Sequence, residues 1–85
     1  MATVTMRYWA AAKDAAGVAE QRLTADTLAA ALAQAAETDG AGRLRPVLAR
    51  SSFLIDGDPV GLRAAETVLL RDGNVIEVLP PFAGG

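Results

Sequence analysis

Apolar residues in this chain recur with two different periods, and their order along the sequence leaves few architectures open. Residues 3–9 alternate: Val4, Met6 and Tyr8 fall on one face, Thr3, Thr5, Arg7 and Trp9 on the other, in a stretch rich in β-formers. The same two-residue rhythm returns near the other end, where Ile76 and Val78 oppose Val75, Glu77 and Leu79. Between them, Leu28, Ala31, Leu32 and Ala35 recur at the spacing of one helix face, with Asp26 or Thr27 as cap and Gly40 as stop. A strand near each end and one clear helix between them demand a sheet covered by a helix.

The remaining segments fill in that plan. Residues 10–16 are alanine-rich and carry Lys13-Asp14; they read as a loop closed by Gly17. Residues 18–24 alternate more weakly, with Ala19, Gln21 and Leu23 together, and read as a second strand. Leu44, Val47 and Leu48 around Pro46 suggest a short second helix. Residues 53–55 form an apolar run that ends in Asp56-Gly57-Asp58-Pro59, the chemistry of a hairpin turn into Val60 and a brief further strand. A second turn at residues 70–74 precedes the last strand.

Two strands, a helix and then more strands make an α+β domain, for which the ubiquitin-like β-grasp is the expected fold. This means a mixed sheet of about four or five strands, with one main helix packed on one face. The domain is expected over residues 1–81 and a flexible C-terminal Gly-Gly tail over residues 82–85. The first and last strands then lie side by side, and Trp9 and Leu79 fall on the face away from the helix. An exposed apolar patch there would mark a partner surface. The alternative for Trp9 is a lid folded over the strand edge onto the core.

Composition excludes most enzymatic chemistry. The 85 residues include no cysteine and no histidine. There is thus no thiolate, no disulfide, no imidazole base and none of the commonest metal ligands. No autonomous active site and no bound cofactor are expected. A net charge of −2 gives no footprint for nucleic acid. No apolar run approaches the length needed to cross a bilayer, so a cytoplasmic protein without membrane contact is expected. Arg43, Arg45 and Arg50 read as a solvated helix face, and Lys13, the single lysine, as a solvated side chain.

After the last strand comes Pro80-Pro81-Phe82-Ala83-Gly84-Gly85. The diproline favours an extended exit, and the residues beyond Pro81 span at most about 14 Å. Ala83, Gly84 and Gly85 have little or no side chain, so a narrow channel on another protein can admit them.

Together with Leu70-Arg71-Asp72-Gly73 and the strand before it, this ending resembles the small subunit of molybdopterin synthase, within the ubiquitin-like β-grasp sulfur-carrier family. Residues 13–17, the helix after Thr27 and the hairpin at residues 53–60 are similar to that family too. Carriers of thiamine and cysteine biosynthesis and ubiquitin-like modifiers share the Gly-Gly end; the diproline favours the molybdopterin branch. A tail-independent β-grasp interaction module is a further alternative.

The resemblance implies a carrier whose Gly85 carboxylate is adenylated by a ubiquitin-activating-enzyme-like adenylyltransferase using ATP and magnesium. A sulfur donor protein then converts it to a thiocarboxylate. The loaded tail enters the large subunit of molybdopterin synthase and gives its sulfur to a cyclic pyranopterin monophosphate. In that scheme Gly85 carries the sulfur, Gly84 and Ala83 give backbone clearance, and Phe82, Leu79, Trp9 and Pro59 are the docking residues.

Overall fold

A computed structural model describes residues 1–39 and 42–81. The elements in chain order are β1 (Ala2–Tyr8), α1 (Ala10–Ala16), β2 (Glu20–Ala25), α2 (Leu28–Thr38), α3 (Leu44–Arg50), β3 (Ser52–Ile55), β4 (Asp58–Pro59) and β5 (Val75–Leu79), with one 3₁₀ turn at Ala65–Thr67. They build a five-stranded mixed sheet in the order β2-β1-β5-β3-β4. β1 and β5 are parallel neighbours, with Met6 opposite Ile76 and Tyr8 opposite Val78. The other three pairings are antiparallel.

The period-2 reading of the two central strands holds. Val4, Met6, Tyr8, Ile76 and Val78 are all essentially inaccessible to solvent. They face α2, whose Leu28, Ala31, Ala35 and Ala36 are buried, while Leu32 packs partly against the same core. Small side chains on this helix let its backbone approach the sheet closely. Thr27 is the cap: its Oγ1 accepts the Ala30 amide at 3.1 Å. The expected stop at Gly40 lies outside the described residues.

The expected loop at residues 10–16 is instead a helix, α1. Alanine has the highest intrinsic helix propensity, and Gly17 closes the helix in the left-handed region (φ +77°), its N–H donating to the Lys13 carbonyl at 2.9 Å. Ala12 and Ala15 are buried, and the element packs on α3. The short helix around Pro46 is present as α3, with Leu44 and Leu48 turned inward. α2, the longest helix, and α1 therefore pack on one sheet face, and α3 packs against both of them. Among the described residues, no helix is long and apolar enough to cross a membrane.

The second strand begins later than expected. Val18 and Ala19 are exposed, and the inward set of β2 is Leu23 and Ala25, with Gln21 half-buried opposite Met6. The β3–β4 hairpin turns through Asp56 and Gly57, both at positive φ (51° and 86°), as a two-residue type I′ turn requires. The Asp56 carboxylate ties this turn to β5, accepting from Val75 N at 2.9 Å and Asn74 Nδ2 at 2.6 Å. Asp72 does more than form its own turn, because its Oδ1 accepts the Thr3 amide at 2.8 Å and anchors the start of β1.

Candidate functional site

Strand register determines which side chains meet on the sheet face opposite the helices, since residues directly across a ladder point the same way. One row runs Pro59, Leu54, Glu77, Arg7, Glu20 across β4, β3, β5, β1 and β2. The next row holds Ser52 and Leu79. Trp9 extends that row: its backbone is still extended (φ −117°, ψ 150°) and its N–H donates to the Val78 carbonyl at 3.3 Å, one step beyond the Tyr8–Val78 pair.

Trp9 is thus not in β1 but immediately past it, and 47% exposed, so it is no lid on the core. Leu54 and Leu79 are half-buried and Pro59 is exposed. Three of the expected docking residues, Trp9, Leu79 and Pro59, therefore share one face. Leu54, between Pro59 and Glu77, joins them, and nothing in its local pattern singled it out. Phe82, Ala83, Gly84 and Gly85 lie outside the described residues; the chain leads to them from Leu79 through buried Pro80 and exposed Pro81.

The apolar group is bordered by charge. Arg7 Nε donates to Glu20 Oε2 at 2.9 Å, and Arg7 Nη1 lies 3.6 Å from Glu77 Oε1. Among the described residues no His, Cys, Asp or Glu cluster could hold a metal.

Two features hold Trp9 in place. Ala10 follows it at φ +49°, a left-handed conformation that costs a residue with a Cβ about 1–2 kcal/mol. This bend takes the chain from β1 directly into α1. Ala10→Gly is expected to raise stability by about 0.5–1 kcal/mol in urea denaturation, because glycine relieves that strain. A loss of stability would mean that the bend costs alanine little.

Beneath the bend, the hydroxyl of buried Tyr8 donates to Gln21 Oε1 at 2.7 Å. Gln21 Nε2 donates to Thr38 Oγ1 at 2.9 Å, and Thr38 Oγ1 to the Ala35 carbonyl at 2.8 Å, a chain that joins β1, β2 and α2. Burial pushes the Tyr8 phenol up to about 12. The fold favours the neutral phenol, so this contribution is complete below pH ~10 and is lost as pH rises through about 12. Since Tyr8 is the only tyrosine, its phenolate absorbance should titrate near 12 in the folded protein and near 10 in denaturant. A folded midpoint near 10 would place the hydroxyl in water.

The ThiS family model matches residues 6–85, nearly the whole chain. The chain belongs to the ThiS family. No curated protein matches it. Among solved structures, this ThiS-family protein is similar to the small archaeal modifier protein 1 of Methanosarcina acetivorans: 25% identity over 100% of this chain and 98% of that one, TM-score 0.85. A putative molybdopterin converting factor subunit 1 from Pyrococcus furiosus has TM-score 0.79 at 18% identity, covering 96% of this chain and 100% of that one. The complex of subunits 1 and 2 of molybdopterin-converting factor from Helicobacter pylori contains a chain with TM-score 0.71 and 22% identity, covering 98% and 99%. At such identities the last two establish the fold, the ubiquitin-like β-grasp, and this ThiS-family chain shares it.

Proposed function

We propose that this ThiS-family protein is the sulfur carrier of molybdopterin synthase, bearing the sulfur on Gly85. The observation that carries the reading is the family match, which runs through the Gly84-Gly85 pair. The Pro80-Pro81 exit beside an open apolar face supports it.

A carboxylate is inert towards sulfur nucleophiles at neutral pH, so its oxygen must first be converted to a leaving group. An adenylyltransferase supplies this: the Gly85 carboxylate attacks the α-phosphorus of ATP, pyrophosphate leaves, and an acyl adenylate forms. Hydrosulfide supplied by a donor protein then attacks the acyl carbon and AMP leaves, so that sulfur takes the place of one carboxylate oxygen. The resulting thiocarboxylate enters the large subunit and delivers sulfur to the cyclic pyranopterin monophosphate. The chain needs no catalytic side chain, only a slender terminus and a face that places it accurately. Subunits 1 and 2 form a complex in the Helicobacter pylori protein, and a large-subunit partner for this chain follows by analogy. The likeness to a small archaeal modifier protein favours protein modification as the second reading.

The test is to incubate the chain with a candidate activating enzyme, ATP, magnesium and sulfide, then weigh its C-terminal peptide. An oxygen-to-sulfur exchange confined to Gly85 is expected; a peptide left unchanged by competent activating enzymes would overturn the reading. The peptide is the right object, because oxidation of Met1 or Met6 adds about 16 Da to the whole chain. For docking, Trp9→Ala is expected to weaken binding to the large subunit about 30-fold with little change in melting temperature. Calorimetry that gave an unchanged Kd would remove Trp9 from the interface.

A further inference from the structure

Glu77 stands where the apolar group meets its charged border, with Arg7 across from it on β1. Leu54 faces it from β3, and Val75 and Leu79 flank it two residues away along β5. Its side chain is only 22% exposed. Among the described residues its carboxylate meets a single charged group, Arg7 Nη1 at 3.6 Å, too far for a hydrogen bond. Arg7 is otherwise committed, its Nε donating to Glu20 at 2.9 Å. Water therefore has to satisfy most of the Glu77 carboxylate in the free protein.

A partner that covers Leu54, Leu79 and Trp9 must also strip that water. A carboxylate desolvated with one long contact opposes association, whereas one that gains a charge-assisted hydrogen bond does not. Glu20, Arg7 and Glu77 together carry one net negative charge, so the row attracts a cation. A guanidinium suits it best, because its planar fork can engage a carboxylate through two parallel N–H donors. We propose that the protein docking on this face carries an arginine that pairs with Glu77, and that this pairing selects the partner. The inference rests on the docking reading given above and adds the chemistry of the opposing surface.

The experiment measures Kd by calorimetry for the chain and its Glu77→Gln, Arg7→Met and Trp9→Ala variants. The partner is the large subunit of molybdopterin synthase from the same genome, in about 50 and about 300 mM NaCl. Glu77→Gln should weaken binding on the order of 30-fold at the lower salt and flatten the salt dependence. Arg7→Met should bind at least as tightly as the parent, since no internal cation then competes for Glu77. Melting curves of both variants should stay within a few degrees of the parent, as a 3.6 Å ion pair without a hydrogen bond contributes little to folding.

Two results overturn the proposal. Glu77→Gln could bind like the parent, or Arg7→Met could lose as much affinity as Glu77→Gln, in which case Arg7 is the counter-charge and the partner brings none. If Trp9→Ala weakens binding while Glu77→Gln does not, only the arginine is rejected. If neither variant loses affinity, the docking face itself is rejected along with it.

Discussion

Deletion of Gly85 should abolish thiocarboxylate formation while leaving the melting temperature unchanged. The deletion leaves a carboxylate of identical chemistry on Gly84, so any loss of activity measures placement and not reactivity. The new carboxyl sits up to about 3.5 Å short of the position that an activating site expects. A misplacement of about 1 Å already costs on the order of 100-fold, because the reacting atoms no longer approach one another in line. Stability should not follow, since the last buried residue among those described is Pro80, five positions before the residue removed. The paired measurement is the C-terminal peptide mass after activation and a calorimetric melt. A thiocarboxylate on Gly84 in the deleted chain would sink the carrier assignment of Gly85. A large fall in melting temperature would show instead that the terminus is part of the folded domain.

The largest effect on stability is expected at Leu28. It is fully buried at the first turn of α2, whose other buried residues are all alanine: Ala31, Ala35 and Ala36. The attachment of the main helix to Met6, Ile76 and their neighbours thus depends on one large side chain more than helix length suggests. Leu28→Ala removes its transfer free energy and leaves a cavity, together about 2–5 kcal/mol. A domain of this size has roughly 4–13 kcal/mol to lose. The melting temperature should fall by about 10–25 °C, and the urea midpoint should fall without a change in slope. A shift below about 1 kcal/mol would mean that α2 slides onto the sheet and closes the void, which its alanine face would permit.

How much of this molecule could be read from its residues depends on how local each determinant is. The alternation of Val4, Met6 and Tyr8 and of Ile76 and Val78 follows from a two-residue period within one strand, and all five are buried as that period requires. The cap, expected at Asp26 or Thr27 and found at Thr27, and the turn after Ile55 are equally local, since a side-chain oxygen or a positive φ acts within four residues; the turn is shorter than the expected residues 56–59, because Asp58 and Pro59 already pair with β3 as β4. The loop assigned to residues 10–16 failed because a run of alanines shows no contrast between a buried and an exposed face. Only α3, far along the chain, supplies the surface that buries Ala12 and Ala15.

The same distinction runs through the docking face. Its membership in Trp9 and Leu79 is a matter of parity along two strands, and Pro59 came with the family resemblance. Leu54 has neither cue. It lies beside Glu77 because β3 crosses back to pair antiparallel with β5, and Glu77 lies beside Arg7 because β5 runs parallel to β1. Which strands are neighbours, and in what register, is settled by the burial of the inner face under the helical layer. A shift of one residue would turn Ile76 and Val78 to solvent. The sequence by itself thus determined which side of each central strand is apolar, that the main helix begins at Asp26 or Thr27 and that a turn follows Ile55, because these depend on residues a few positions apart. The tertiary structure alone decided that a carboxylate, a guanidinium and two leucines share one surface, because packing a common core is what aligns strands that are distant in the chain.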